Sequence, residues 1–265
     1  MKADPPSPNV LSPGVETACG CPPAIENAAP QTGGPHKTGC LVCGAELIYF
    51  ETNQDRSCYY CGQIAQANAQ CTHGHFVCDQ CHRADAVEII RNVCLHSQQA
   101  DMAVLMQAIR SHPYFRMHGP EHHSMVPAVI LTALRNSGYP ISDEQIITAI
   151  ERGQTIVGGS CAFLGACGAA IGAGIALSLV LGANPYAGDR RQVTMQATQK
   201  ALQRIASLNA PRCCQRDAWL ALKEASIFVQ KYTGKLLTVE LFPCEQFLKN
   251  KECIQARCPL WPSNQ

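Results

Sequence analysis

Apolar positions recur at helical spacing through most of the chain after residue 100. Met102, Leu105, Met106 and Ile109 stand at i, i+3, i+4 and i+7 and predict a helix with one apolar face. The next helix is expected to start at Ser124, with Pro127 in its first turn, and to run through Val129, Ile130 and Leu134 to a stop near Asn136-Ser137-Gly138. Ser142-Asp143-Glu144-Gln145 has the form of a capping box and opens a helix carrying Ile146, Ile147 and Ile150. Val193, Ala197, Ala201, Ile205 and Leu208 mark another helix. Trp219, Leu222, Ser226 and Val229 mark the last long one, ended by Gly234, and Lys235 to Phe242 reads as a short strand. Between Gly153 and Gly188 there is no charged residue, and Ile171 to Ala183 is almost wholly apolar, which raises a transmembrane helix. Gly158-Gly159-Ser160 breaks that stretch, and its continuous apolar part is short for a bilayer span. A helix over about 166 to 182, buried at the centre of a bundle, is expected instead. Its small residues Gly168, Gly172 and Ala176 would let a neighbouring helix approach closely.

The remaining chain has a different texture. Residues 1–38 are rich in Pro, Ala, Gly and Ser without periodicity and are expected to be disordered, with Cys19 and Cys21 carrying no site. Residues 39–97 form a Cys-rich module with too little apolar content for an ordinary core, so bound metal would supply its folding free energy. Residues 98–265 form the helical bundle. The predicted class is therefore mainly α: a helical bundle behind a zinc-ribbon or RING-like module.

The module holds four ligand pairs: Cys40-x2-Cys43, Cys58-x2-Cys61, Cys71-x3-His75 and Cys78-x2-Cys81. Eight such donors match two tetrahedral zinc ions. A sequential pairing gives Cys40/Cys43/Cys58/Cys61 and Cys71/His75/Cys78/Cys81. A cross-braced pairing gives Cys40/Cys43/Cys71/His75 and Cys58/Cys61/Cys78/Cys81. The run from Cys71 to Cys81 resembles the central part of RING-type fingers, where neighbouring pairs go to different ions, and this favours the cross-brace. His73 and His82 are nearby spares expected to face solvent, and Cys94 and His96 are a weaker further pair. The expected role of the module is structural, a buttress for its neighbour.

The net charge of +1 removes the electrostatic argument for a nucleic-acid footprint. Seventeen cysteines, an odd count set partly as Cys-x2-Cys, indicate metal and redox chemistry in a reducing compartment rather than a disulfide framework. Met1-Lys2-Ala3-Asp4-Pro5-Pro6 lacks the apolar run of a signal peptide, so a cytoplasmic protein is expected.

Seven cysteines lie downstream without zinc spacing: Cys161, Cys167, Cys213, Cys214, Cys244, Cys253 and Cys258. Cys161 and Cys167 flank a Gly-rich loop that leads into the buried helix, where a helix N-terminus favours a thiolate. Cys258-Pro259 has the form found in ferredoxin-like cluster sites. His112, His118, His122 and His123 cluster just ahead, and at least one of His118, His122 and His123 is expected at the site.

The segments His122-His123-Ser-Met-Val-Pro-Ala, Gly158-Gly-Ser-Cys161, Cys167-Gly168-Ala169-x-x-Gly172 and Pro211-Arg-Cys213-Cys214 resemble the redox-associated family named for its C-GCAxxG-C-C signature. That resemblance covers about residues 120 to 232. It implies a helical domain whose spaced cysteines hold a redox centre, with His122 or His123 in place of the family's first cysteine and Cys161 as an addition. The whole chain also resembles a poorly characterised family of anaerobic microbes that pairs a Cys-rich finger with a helical domain and accompanies radical-SAM or methyltransferase proteins. The chain lacks the Cys-x3-Cys-x2-Cys triplet of radical-SAM enzymes and a methyltransferase glycine motif, so neither activity is transferred. The leading expectation is a redox or iron–sulfur protein with a [4Fe–4S] cluster. It would transfer electrons or serve an anaerobic enzyme as an accessory, with a redox, radical-SAM or methyltransferase enzyme as protein partner. The alternatives are a non-catalytic zinc-stabilised adaptor and a thiol enzyme using Cys161 or Cys167.

Overall fold

The computed structural model describes residues 40–264 apart from 79–80 and 82–84. The expectations for residues 1–38, for Cys19 and Cys21 and for His82 lie outside the described residues. The described chain begins with a hairpin that the periodicity did not announce. β1 (Leu47–Ser57) pairs antiparallel with β2 (Ile64–Cys71), from Leu47 opposite Cys71 to Ser57 opposite Ile64, with an irregularity between Tyr49 and Gln54. Its sequence, rich in Gln, Asn and small residues, lacks the β-branched alternation that marks a strand.

Among the described residues eight helices follow. They are α1 (Ala86–His96), α2 (Met102–Arg110), α3 (Glu121–Asn136), α4 (Asp143–Gln154), α5 (Ser160–Phe163), α6 (Gly168–Leu181), α7 (Gly188–Ala206) and α8 (Cys214–Thr233). The mainly α class holds. Local chemistry sets several starts. The Asp85 carboxylate accepts from the N–H groups of Val87 and Glu88 at 3.0 and 2.9 Å. Asp101 does the same for Ala103 and Val104 at 2.8 and 2.9 Å. Ser142 and Gln145 form the expected capping box.

α3 is the axis of the bundle. It packs against α1, α2, α4, α6 and α8, and from Ser124 to Leu134 every residue is buried. It starts at Glu121, not at Ser124, so Pro127 lies inside the helix rather than in its first turn. Proline cannot supply the N–H that the His123 carbonyl would otherwise accept. The position is tolerated because burial of this helix on several sides outweighs one backbone bond, each fully buried aliphatic side chain contributing about 1.5–3 kcal/mol.

α6 is the buried, glycine-bearing helix that the sequence predicts. A Cβ at Gly172 would stand 2.9 Å from Pro127 Cδ and 3.1 Å from Val126 Cβ, and one at Gly168 would run into the His123 ring. One at Gly174 would meet Thr198 of α7, and one at Gly153 of α4 would stand 2.5 Å from Ser124 Cα. Glycine therefore lets α4 and α6 close on α3 from separate directions, and lets α7 close on α6. Among the described residues no helix is long and apolar enough to cross a membrane.

Two further expectations change. α1, absent from the periodicity reading, buries Ile89, Ile90, Val93 and Cys94 in the same core as the later helices. Lys235 to Phe242 is not a strand. Among the described residues it has no strand beside it, and its backbone bonds go elsewhere: Thr238 O accepts from Met102 N–H at 3.0 Å, Glu240 N–H donates to Asp101 Oδ2 at 3.1 Å, and Glu240 O accepts from Trp219 Nε1 at 3.0 Å. Asp101 thus caps α2 and anchors this segment with its two oxygens.

Gly172→Leu should overpack the α3–α6 contact and destabilise the protein by about 1–3 kcal/mol. A lower denaturant midpoint with an unchanged slope would show it. An unchanged midpoint would contradict the tight contact.

Candidate metal centres

Three tight turns present the N-terminal donors. Cys40 and Cys58 each open a turn closed by a following glycine, Gly44 N–H donating to Cys40 O at 2.7 Å and Gly62 N–H to Cys58 O at 2.9 Å. Gly74 N–H closes the third turn on Cys71 O at 2.8 Å. All three glycines have φ between 73 and 81°, the left-handed region that a residue with a Cβ enters only with strain. Backbone N–H groups also point at sulfur: Val42 at Cys40 Sγ, His75 at Cys71 Sγ and Cys78 at Cys58 Sγ, at 3.3 to 3.4 Å.

The hairpin decides which pairs meet. Leu47 faces Cys71 across the strands, so the turn before β1 and the turn after β2 come together. Phe76 O accepts from Tyr59 N–H at 2.8 Å, which lays the fourth pair against the second. Two groups result, Cys40/Cys43/Cys71/His75 and Cys58/Cys61/Cys78/Cys81, and within each the four donor atoms lie within 4.8 Å of one another. This is the cross-braced pairing.

The two groups differ in setting. All four cysteines of the second, inner group are buried, whereas Cys43 of the first, outer group is exposed. In the inner group hydrogen bonds from Cys61 and Cys81 pull the Cys58 thiol far down. Those same bonds push Cys61 up to about 12 and Cys81 well above the ordinary thiol range. These opposed shifts come from the four thiols sharing hydrogen bonds at close range. In the outer group burial raises the Cys40 thiol. Burial also acts upward on Cys71, but the backbone N–H groups of His75 and His73 and the thiols of Cys40 and Cys43 outweigh it, and Cys71 is lowered. His73, taken from the sequence as a solvent-facing spare, is exposed, yet its Nδ1 stands 3.5 Å from Cys43 Sγ.

The downstream cysteines occupy a looser neighbourhood. Cys213 precedes α8 as its cap and Cys214 is its first residue. Burial raises both thiols. Cys244 and Cys258 are buried, and Cys244 N–H donates to Leu260 O at 2.9 Å, tying the two C-terminal segments together. Gln246 Nε2 approaches Cys213 Sγ at 3.7 Å. The Arg110 guanidinium interacts electrostatically with Cys213, Cys214 and Cys244, and Cys258 with Cys213 and Cys244. Cys167 caps α6, and burial, with the Asp217 carboxylate next in weight, lifts its thiol to about 11; Cys161 also acts on it. Cys161 itself is exposed on α5, and Cys253 is half-buried, its sulfur accepting from Gln255 N–H at 3.4 Å. Among the described residues only the two N-terminal groups bring three or more donors within 4.8 Å, so the downstream sulfurs do not form a single-ion cage.

The histidines divide. His122 is fully engaged: its Nδ1 donates to Gly119 O at 3.1 Å, and Arg110 Nη1 donates to its Nε2. His123 donates through Nδ1 to Ile156 O at 3.0 Å, which fixes its ring. His112 contacts Cys81 O through Nε2 at 2.7 Å and belongs to the seating of the inner group. His118 lies half-buried, interacting with Asn250 and Arg110, and burial lowers its pKa.

The periodicity reading passed over Arg110. It donates to His122, to Gln246 and, at 3.2 Å, to Gln215, and burial brings its pKa down to about 10. All three side chains are neutral acceptors. Among the described residues the ion pairs are Glu88–Arg91, Arg135–Asp143 and Arg216–Asp217, so Arg110 has no carboxylate within salt-bridge distance. One signal was available: Arg110 stands four residues after Met106, on the apolar face of α2 rather than its polar one.

Residues 90–261 match the model of a family of unknown function, DUF5714, and the chain belongs to that family. No curated protein and no solved structure matches it. The matched residues contain all seven downstream cysteines and none of the eight N-terminal donors.

Burial, then the Arg110 charge, holds the His122 pKa well below its ordinary 6.5. The imidazole is neutral in both states above 6.5. Below that the unfolded chain binds a proton that the folded chain refuses, so this contribution to stability is lost as pH falls, by up to about 1.4 kcal/mol per pH unit. Denaturant midpoints between pH 7 and 5 should fall more steeply for the parent chain than for His122→Gln. Parallel lines would contradict a neutral His122 beside Arg110.

Proposed function

We propose that this chain is a metal-dependent redox protein. Two zinc ions knit its N-terminal module, and thiols of its helical half hold an iron–sulfur cluster, [4Fe–4S], that serves an enzyme partner. The zinc reading rests on edge lengths. A tetrahedral zinc site with Zn–S of about 2.3 Å and Zn–N of about 2.0–2.1 Å has S···S edges of about 3.8 Å and S···N edges of about 3.5 Å. Cys61–Cys78 and Cys43–Cys71 stand at 3.8 Å, and His75 Nδ1 stands 3.4 Å from Cys43 and 3.5 Å from Cys71.

The observation that carries the second centre is Arg110. A buried guanidinium with only neutral hydrogen-bond partners is costly, and the groups that act on it are the thiols of Cys213, Cys214 and Cys244, then the Glu121 carboxylate beyond salt-bridge distance, with Cys258 further out. Burial raises the thiols of Cys213, Cys214 and Cys258. Coordination makes a thiol a thiolate outright, and thiolates here would supply close counter-charge to Arg110, whose Glu121 carboxylate neighbour stands outside salt-bridge distance. Cys213, Cys214, Cys244 and Cys258 are the proposed ligands. Cys167 stands at the edge of the same neighbourhood, linked to it through Asp217, and Cys161 and Cys253 lie further out. His122 accepts from Arg110 and helps to orient it, and the His123 ring lies against Gly168, the residue after Cys167. When bound, the cluster would supply one-electron transfer at a potential set by burial and by hydrogen bonds such as that from Gln246. The fifteen free cysteines of the described chain fit a reducing, cytoplasmic setting. A radical-SAM or methyltransferase enzyme is the proposed class of partner.

Anaerobic purification followed by an absorption spectrum and Zn, Fe and sulfide analysis tests this. Two zinc ions per chain and a brown chromophore are expected. Cys58→Ser with Cys61→Ser should lower bound zinc and unfold the module, while Cys213→Ala with Cys214→Ala should abolish the colour and leave zinc in place. A colourless protein holding only zinc, even when produced with ample iron and sulfide, would replace this reading with that of a zinc-stabilised adaptor.

A further inference from the structure

The outer metal group has four donors within 4.8 Å of one another, and a second histidine, His73, stands beside them within reach of one of their sulfurs. His73 and His75 flank Gly74, whose φ of +81° turns the chain back on itself. Both histidines face the same sulfur: His75 Nδ1 stands 3.4 Å from Cys43 Sγ, and His73 Nδ1 stands 3.5 Å from it. Each distance is the S···N edge of a tetrahedral zinc site, about 3.5 Å. The His75 ring is the better supported, meeting Tyr59 edge-on at 5.0 Å, and it also reaches Cys71 and Cys40 at 3.5 and 4.0 Å. The His73 ring is exposed and lies 6.4 Å from that of His75. Among the described residues the inner group offers no comparable choice, being four buried cysteines.

We infer that His73 is an alternate fourth ligand of the outer ion, so that this site, unlike the inner one, exchanges between two imidazoles. The inference rests on the zinc reading of the outer group. With zinc bound, a bond from His73 Nδ1 would form as the bond from His75 Nδ1 breaks, the three cysteine sulfurs staying in place, so that one imidazole would replace another and the charge of the site would be unchanged. The exposed Cys43 side of the group, where His73 stands, is where the second imidazole would approach. The outer ion is then the place where an external donor, such as a thiolate or imidazole of a partner protein, can enter without first releasing the metal.

The test uses the full chain and counts zinc by native mass spectrometry, with Co(II) substitution to read the donor set. The parent chain should hold two ions. His75→Ala and His73→Ala should each still hold two, and the outer Co(II) spectrum should remain that of three sulfurs and one nitrogen in both. His73→Ala/His75→Ala should hold one, the retained inner ion showing that the module still folds, and free imidazole should restore the second. A His75→Ala protein with one ion, or with two ions and an outer spectrum that has lost its nitrogen donor, would overturn the inference and leave the zinc reading standing. A parent chain without two ions would remove both.

Discussion

Four buried cysteine sulfurs within 4.8 Å of one another present an electrostatic problem that the N-terminal module cannot avoid. As thiolates they repel, and as thiols they leave weak, mutually shared hydrogen bonds in place of a core. The hairpin cannot compensate, since of its strand residues only Ala67 and Cys71 are buried. A cation at each group would turn the same crowding into cohesion. The three left-handed glycines, the backbone N–H groups aimed at sulfur and the meeting of Cys71 with the first turn across the hairpin all serve that geometry. The module is arranged around its donors, where an ordinary domain is arranged around its apolar side chains.

The helical half follows the opposite rule. Its framework is apolar, and its close approaches are made by subtraction of side chains. Gly153 and Gly172 let α4 and α6 close on α3, and Gly168 makes room for the His123 ring. The segment Cys167-Gly168-Ala169-x-x-Gly172 thereby acquires a packing explanation that needs no bound group. Its two glycines face His123, Val126 and Pro127, and Cys167 caps the helix that carries them. That explanation does not reach Arg110, which no packing argument requires.

How much was legible depended on the kind of signal. Ser142-Asp-Glu-Gln145, the i, i+3, i+4, i+7 run from Met102 and the glycine stop at Gly234 are local rules, and the structure follows each of them. The ligand pairs were legible because Cys-x2-Cys is itself a local geometry. Their cross-braced partnership needed the hairpin, whose Gln- and Asn-rich strands carry no period-two pattern. The extra turn of α3 ahead of Ser124 was hidden because Pro127 reads as a first-turn residue, and only burial against several helices pays for it deeper inside. Lys235 to Phe242 has strand-like composition, but its backbone is satisfied by Asp101 and Trp219, partners more than a hundred residues before it and some twenty before it. The hydrogen-bond partners of Arg110 come from α3, α8 and the C-terminal segment, and nothing local could have assembled them.

The end of α2 joins the two halves. Arg110, its last residue, donates to His122, Gln215 and Gln246 beside the downstream thiols. Ser111 O accepts from Tyr60 Oη at 3.5 Å, and His112 contacts Cys81 O at 2.7 Å with its ring 4.5 Å from that of Tyr60. Three consecutive residues therefore touch the thiol neighbourhood on one side and the inner metal group on the other. The inner group needs a firm floor because its turns have no core of their own, and Tyr60 and His112 supply it from the bundle. Arg110 needs a fixed backbone because a guanidinium held by three neutral acceptors has no ion pair to centre it. One helix terminus meets both needs. This is a physical reason for a metal module that contributes none of the downstream thiols to be built directly against the bundle that carries them.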